Sequence, residues 1–291
     1  MAERDVTGAS ERNNIIMSGI SKLMNKSFLQ RTISGILLVI VALVTIIMGK
    51  DVLFFTISAI SLIGIFELYR VFGIEKSLVG IVGYIGTAVY LMCIRCSYEE
   101  YLMPLFILIL MLLMAVYVLS FPKYKAELIM AAYFGLFYVT IMLTCIYRIR
   151  MLSGGVYLVW LIFLCSWGCD TCAYLTGVMF GKHKMAPILS PKKSIEGGIG
   201  GIFGAALLGF IYACIFGDKM NEISNPQIIV PVICAVAAVI SQIGDLAASG
   251  IKRDHDIKDY GKLIPGHGGI LDRFDSVIFT APVIYYLVMY L

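Results

Sequence analysis

Charged side chains are scarce in this chain. They make up 14 % of the 291 residues, while hydrophobic residues make up 60 % and the mean hydropathy is +0.90. A soluble domain is about a quarter charged, so little chain is left for a separate soluble domain. The net charge is only +4, and no nucleic-acid partner is expected. No Walker-type loop and no GxGxxG turn occurs, which removes the two common glycine-rich phosphate cradles. An N-terminal apolar core with a small-residue cleavage site is also missing, so no signal peptide is read there.

What is present is a series of long apolar runs. A helix needs about 20 apolar residues to cross hydrocarbon about 30 Å thick. Nine stretches approach that length, near 33–49, 52–69, 78–94, 101–119, 128–147, 156–180, 195–216, 228–246 and 271–291. The expected fold is all-α, a polytopic integral membrane protein with about nine transmembrane helices. Residues 1–31 form a polar cytoplasmic or interfacial segment, 32–150 about five N-terminal membrane helices, and 151–291 a catalytic region of about four.

Lysine and arginine set the orientation. With the N-terminus in the cytoplasm, segments 1–31, 70–77, 120–127, 181–194 and 247–270 are inner and carry 17 basic residues. The outer connections carry 5. That bias follows the positive-inside rule and puts Leu291 outside. The short N-terminal segment suggests a bacterial plasma membrane.

Eight cysteines, including CxxC pairs at Cys93/Cys96 and Cys169/Cys172, fall mostly within the apolar runs. A structural zinc site wants four ligands, so they read as small packing residues, with a Cys93–Cys96 disulfide left open.

Polar residues gather in three places. In SWGCDTCAY, Ser166, Asp170 and Tyr174 recur every four residues and would share a helix face. Asp170 lies about ten residues, roughly 15 Å, from the inner end of its span. An acid at such depth is a functional candidate. In residues 181–201, Pro187 and Pro191 break the helix, and Lys192 and Lys193 stand just before a helix start at Ser194. Lysines beside free helix N–H groups suit a phosphate. Lys182 and Lys184 read as topological anchors. Gly197/Gly201 and Gly200/Gly204 form two GxxxG spacings, which favour close helix packing.

The third stretch is densest. Residues 244–276 hold six aspartates, three lysines, two arginines and two histidines between two apolar runs. Gln242, Asp245, Ser249 and Lys252 form one helical stripe. Asp272 and Asp275 project from the start of the last span. Between them, Pro265 to Gly269 forbids regular helix. Asp245, Asp272 and Asp275 can therefore meet at the cytoplasmic membrane boundary, where hard oxygen ligands suit Mg²⁺ together with substrate phosphates. Lys252, Arg253, Lys258 and Arg273 would offset phosphate charge. Acids for metal and bases for phosphate read as phosphoryl or nucleotidyl transfer.

The run Ser249-x-x-Lys252-Arg253-x4-Lys258-Asp259-x-Gly261-x-x-Ile264-Pro265-x-His267-Gly268-Gly269-x-x-Asp272-Arg273-x-Asp275 resembles the signature of the phosphatidate cytidylyltransferases, also called CDP-diacylglycerol synthases. Asp170-Thr171-x-Ala173-Tyr174 and Ser190-Pro191-Lys192-Lys193-Ser194-x-Glu196-Gly197 also resemble that family's pattern. The likeness covers roughly residues 166–276. Gly250 and Leu175 stand where a bulkier apolar residue and an aromatic one are expected, and neither change touches a polar group. The resemblance implies CTP + phosphatidate → CDP-diacylglycerol + diphosphate, Mg²⁺ with the number of ions open, and a homodimer. It implies catalytic roles for Asp245, Asp272, Asp275, Lys252, Arg253, Arg273 and His267. It implies substrate binding by Asp170, Ser190, Lys192, Lys193, Ser194, Glu196, Ser249, Lys258, Asp259, Gly268 and Gly269. Metal would sit on Asp245, Asp272 and Asp275.

Two other classes fit less well. A CTP-dependent polyprenol-type lipid kinase would release CDP instead of diphosphate. An ion-coupled transporter would spread its charges over two repeated halves, whereas the first five spans here hold almost none. The DG-x2-AR motif of enzymes that consume CDP-diacylglycerol is absent.

The orientation is checked by cysteine scanning. Lys184→Cys or Lys258→Cys, in a background without the native cysteines, should resist an impermeant thiol reagent in intact cells and react in inverted vesicles. Labelling from outside would reverse the topology.

Overall fold

The structure, a computed structural model, describes residues 26–290. The N-terminal 25 residues, expected as a polar surface segment, and Leu291, expected outside, lie beyond the described residues.

The chain is a bundle of long helices with one small hairpin. In order, α1 is Lys26–Met48, α2 Lys50–Val71, α3 Leu78–Arg95, α4 Leu102–Leu119, α5 Ala126–Met151 and α6 Gly155–Phe180. A hairpin of β1 (Lys184–Ala186) and β2 (Ser190–Ser194) follows. Then come α7 (Ile195–Phe216), α8 (Pro226–Asp254) and α9 (Leu271–Tyr290). Among the described residues seven helices, α2 to α8, are long and apolar enough to cross a membrane. The apolar part of α1 is shorter, Thr32–Met48, and α9 opens with Asp272, Arg273 and Asp275.

Local chemistry marks the helix ends. Ser77 caps α3 by accepting from the Gly80 N–H at 3.1 Å, and Ser194 caps α7 by accepting from Gly197 at 3.1 Å, as short hydroxyl side chains do at N-caps. Gly49 turns α1 into α2 at φ +62°. The α5 side chain Arg150 donates to the Ile46 carbonyl at 2.8 Å and fastens that corner.

The expected spans agree with these helices apart from three features. Residues Lys26 to Arg31 continue α1 instead of belonging to a separate segment. The helix expected to end near 246 runs on to Asp254, because its polar stripe faces protein. The all-α expectation also missed the hairpin, where Pro187 and Pro191 leave only short pairing.

Helices α6 and α7 pack with almost no gap. A Cβ at Gly201 would lie 2.9 Å from Ala173 Cβ and from Cys169 Sγ, and one at Gly200 would lie 2.5 Å from Thr176 Cβ. Small residues at this spacing let backbones approach, so the glycine spacings and the Cys169/Cys172 pair are two sides of one contact. All eight cysteines are free, Cys93 and Cys96 included.

A π-helical turn at Leu164–Gly168 interrupts α6 just before Asp170. Beyond it Asp170 and Tyr174 keep their four-residue spacing on a regular helix, with Ser166 buried within the wide turn and Tyr174 exposed. Such turns are frequent at functional sites.

The tight α6–α7 contact makes a stability prediction. Gly201→Leu should lower the thermal midpoint in detergent by roughly 3–10 °C, since overpacking costs about 1–3 kcal/mol. Phe203→Leu, on an exposed side chain of the same helix, should leave the midpoint unchanged.

Candidate active site

The polar residues converge at one end of the bundle, where α8 ends, α9 begins and the hairpin folds over. The loop between α8 and α9 is shaped by a turn at Ile264-Pro265-Gly266-His267. The His267 N–H donates to the Ile264 carbonyl at 2.9 Å, and Gly266 takes φ +77°. Proline second and a positive-φ glycine third give a type II turn. Gly268 at φ +87° then redirects the chain into α9.

Asp272 is the most committed residue of the site. Its carboxylate accepts from the Lys252 ammonium at 2.9 Å on one oxygen. The other oxygen accepts from the Tyr260 N–H at 2.8 Å and the Gly269 N–H at 2.9 Å. The pair is nearly dry, with side-chain exposures of 12 % for Lys252 and 2 % for Asp272. Lys252 also lies 5.4 Å over the Tyr260 ring, whose hydroxyl donates to the Ala248 carbonyl. The end of α8, the loop and the start of α9 are thus stitched by one carboxylate.

The α8 stripe is real. Gln242 is buried and donates to the Gly198 carbonyl of α7 at 3.0 Å. Ser249 donates to Asp245 at 3.5 Å. Asp245 also forms an ion pair with Lys193 of β2. Across the site, Asp170 accepts from the Ser276 hydroxyl at 3.4 Å. Asp170, Asp245 and Asp275 lie within electrostatic range of one another. The Arg273 Nε is buried with no hydrogen-bond acceptor.

These groups close one end of a cavity of about 670 Å³. Its polar end presents Asp170, His267, Asp272, Arg273, Asp275 and Ser276. Its long body is apolar, lined by Leu38, Ala42 and Ile46 of α1, Leu53 and Ile60 of α2, and Trp167 of α6. Ser34 of α1 bonds the His267 Nδ1 at 2.7 Å and donates to the Pro265 carbonyl at 3.1 Å. A second cavity, about 590 Å³ between α4 and α5, is almost wholly apolar.

A profile of the cytidylyltransferase family matches residues 29–291. The chain belongs to that family. The phosphatidate cytidylyltransferase of Bacillus subtilis (strain 168) is 33 % identical over 271 residues, covering 89 % of this chain and 96 % of that protein. That of Staphylococcus aureus (strain COL) is 33 % identical over 260 residues, covering 87 % and 96 %. That of Thermotoga maritima is 39 % identical over 126 residues, 43 % of this chain and 46 % of its own length.

In this cytidylyltransferase-family chain the signature residues divide. Asp170, Lys193, Asp245, Ser249, Lys252, His267, Asp272, Arg273 and Asp275 come together at the cavity's polar end or directly behind it. Lys192, Arg253, Lys258 and Asp259 are exposed around it. Among the described residues the Arg253 guanidinium donates to the Ile257 carbonyl at 3.3 Å. Gly268 and Gly269 act through backbone: a Cβ on Gly268 would lie 2.8 Å from an Asp272 oxygen. Ser190 starts β2, and Ser194 and Glu196 organise the hairpin. Glu196 accepts from the Lys182 N–H at 3.1 Å and the His183 ring at 2.6 Å.

One expectation about phosphate needs correction. The start of α7 does not offer a row of free N–H groups, because Ile195 donates to the His183 carbonyl and Gly197 to Ser194. Any anion affinity there rests on the lysines.

Sequence reasoning missed Ser34, Glu67, Arg70 and Tyr260. Glu67 and Arg70 stand in an otherwise apolar run, and a charge in such a run is itself a signal. Ser34 carried none.

The buried Lys252–Asp272 pair should show strong coupling. In a double-mutant cycle of Lys252→Met and Asp272→Asn read by unfolding in detergent, the interaction should be at least about 1 kcal/mol, since removing one partner strands the other charge. Additive effects would mean the two do not pair.

Proposed function

We propose that the protein makes CDP-diacylglycerol from CTP and phosphatidate and releases diphosphate. The observation that carries this reading is the two-character cavity, an oily slot ending in acids, a histidine and an arginine whose buried Nε has no acceptor among the described residues. A lipid bearing a phosphate matches both parts. Its acyl chain would lie against α1 and α2, and its phosphate would meet Arg273 near Lys252 and Lys193. CTP would arrive from the loop and hairpin side, where Lys192, Arg253 and Lys258 are exposed.

The chemistry makes modest demands. A phosphatidate oxygen attacks the α-phosphorus of CTP, and the bond from that phosphorus to the bridging oxygen of the departing diphosphate breaks. A phosphate monoester has a second pKa of about 6, so the nucleophile is largely anionic at neutral pH and no strong base is required. The chief barrier is bringing anions together. Lys193, Lys252 and Arg273 would neutralise them, and fixed cationic donors can supply several kcal/mol at a transition state.

Mg²⁺ fits the donor set. The carboxylates are hard oxygen ligands, and Asp170, Asp245 and Asp275 sit close enough to repel one another. Among the described residues no three His, Cys, Asp or Glu side chains already converge as a metal cage, so phosphate oxygens would complete the coordination. Asp245, Asp272 and Asp275 would hold the ion, which when bound supplies charge stabilisation and alignment. Lys193 and Lys252, each now on a carboxylate, would turn to the phosphates.

The reading extends to nine membrane crossings, a homodimer, and an active site at the cytoplasmic face of a bacterial plasma membrane. Its support is the basic-residue asymmetry and the bacterial relatives, and the homodimer rests on the family resemblance alone.

Purified protein with Mg²⁺, phosphatidate and labelled CTP should yield a CDP-lipid and diphosphate. CDP with a new lipid phosphate would overturn the assignment. Asp245→Asn and Asp272→Asn should each abolish turnover while the protein stays folded and monodisperse. Lys193→Gln should lower kcat/KM at least about tenfold, equivalent to roughly 1.4 kcal/mol. Lys192→Gln should do the same, and Lys182→Gln should not. Equal small effects at all three would reduce the hairpin to a topological anchor.

A further inference from the structure

We infer that Glu67, assisted by Arg70, is a positioning residue for the catalytic loop, braced from a helix that carries none of the signature. Glu67 lies in the last turns of α2 and is 3 % exposed. A carboxyl group buried in a membrane helix is costly unless its oxygens are engaged. Both are. One oxygen accepts from the Ile270 N–H at 3.1 Å and the other from the Leu271 N–H at 2.9 Å. These are the first N–H groups of α9, which have no partner within the helix and favour an anion.

Arg70 completes the brace one turn later by donating to the Tyr260 carbonyl at 2.5 Å. Phe72 meets the His255 ring edge-on at 4.8 Å. The end of α2 therefore grips the loop at its start, its middle and its junction with α9. The same loop peptides hold Asp272. Tyr260 gives its carbonyl to Arg70 and its N–H to Asp272, while Ile270 and Leu271 flank the other contact.

Two glycines are explained by Glu67. A Cβ on Gly269 would lie 2.5 Å from both Glu67 oxygens, and one on Gly261 would overlap the same carboxylate. The loop backbone wraps the acid closely, so the acid sets its path. Glutamine at 67 keeps the shape but turns a donor toward one of the two N–H groups, which releases one end of the grip.

The inference rests on the reading that Asp272 serves cytidylyl transfer. The experiment compares wild type, Glu67→Gln, Glu67→Asp and Arg70→Met in detergent, with steady-state kinetics and amide hydrogen exchange on each. In Glu67→Gln, kcat should fall at least about tenfold, with KM for CTP and for phosphatidate within about threefold. Exchange should quicken in peptides from 258–271 and stay as in wild type across α3 and α4. Glu67→Asp, which keeps two acceptor oxygens, should recover part of kcat. Arg70→Met, at an exposed side chain that does not threaten folding, should quicken exchange at 258–262. Wild-type kcat in Glu67→Gln would overturn the inference. So would exchange accelerated throughout the protein, or lost activity with the loop's exchange unchanged. If the wild type made no CDP-lipid, the functional reading would fail, and the exchange data alone would judge the brace.

Discussion

One carboxylate, that of Asp272, ties together the parts of the site that the chain supplies from far apart. A nearly dry ion pair in a membrane protein is stable only when further hydrogen bonds engage the groups it buries. Here the second oxygen takes two backbone N–H groups from the loop. That requirement dictates the rest. The loop must curl inward, which needs Gly268 and Gly269. Helix α8 must extend past the apolar run so that Lys252 arrives, which is why it continues to Asp254. The first turn of α9 must be held, and Glu67 holds it.

The site and the slot have different origins in the sequence. The charged end comes from α6, the hairpin, α8 and α9. Much of the apolar body comes from α1 and α2. Neither set makes the cavity alone. The N-terminal helices also reach the chemical end through Ser34 on His267 and Glu67 on α9. Their sequence looks like plain membrane anchor because their contribution is mostly shape.

How much was legible follows from that division. Helix boundaries were visible because hydrocarbon thickness imposes length, and the signature residues because ionised groups are rare in such runs. The α8 stripe of Gln242, Asp245, Ser249 and Lys252 could be drawn from helical spacing alone. The π-turn that holds Ser166, just before Asp170 and Tyr174, could not, because its extra residue leaves no mark in the sequence. The N–H partners at the start of α7 were hidden for a related reason. Two of its N–H groups, those of Ile195 and Gly197, go to His183 and Ser194, partners that spacing does not reveal. Glu67 was passed over because a single acid near a helix end resembles an interfacial residue. Only its partners on α9, some 200 positions away, give it meaning.

The corner where Arg150 fastens the α1–α2 turn has a consequence for how substrate is counted. It holds Ile46, which with Leu53 lines the apolar body of the slot, so a lipid tail seated there would be drawn from the surrounding bilayer. The KM of a reactant drawn from that two-dimensional pool is read as a surface fraction, not as a bulk molarity. What the site samples is the lipid's share of the membrane area, and any other amphiphile, detergent included, competes as a fraction of the same surface.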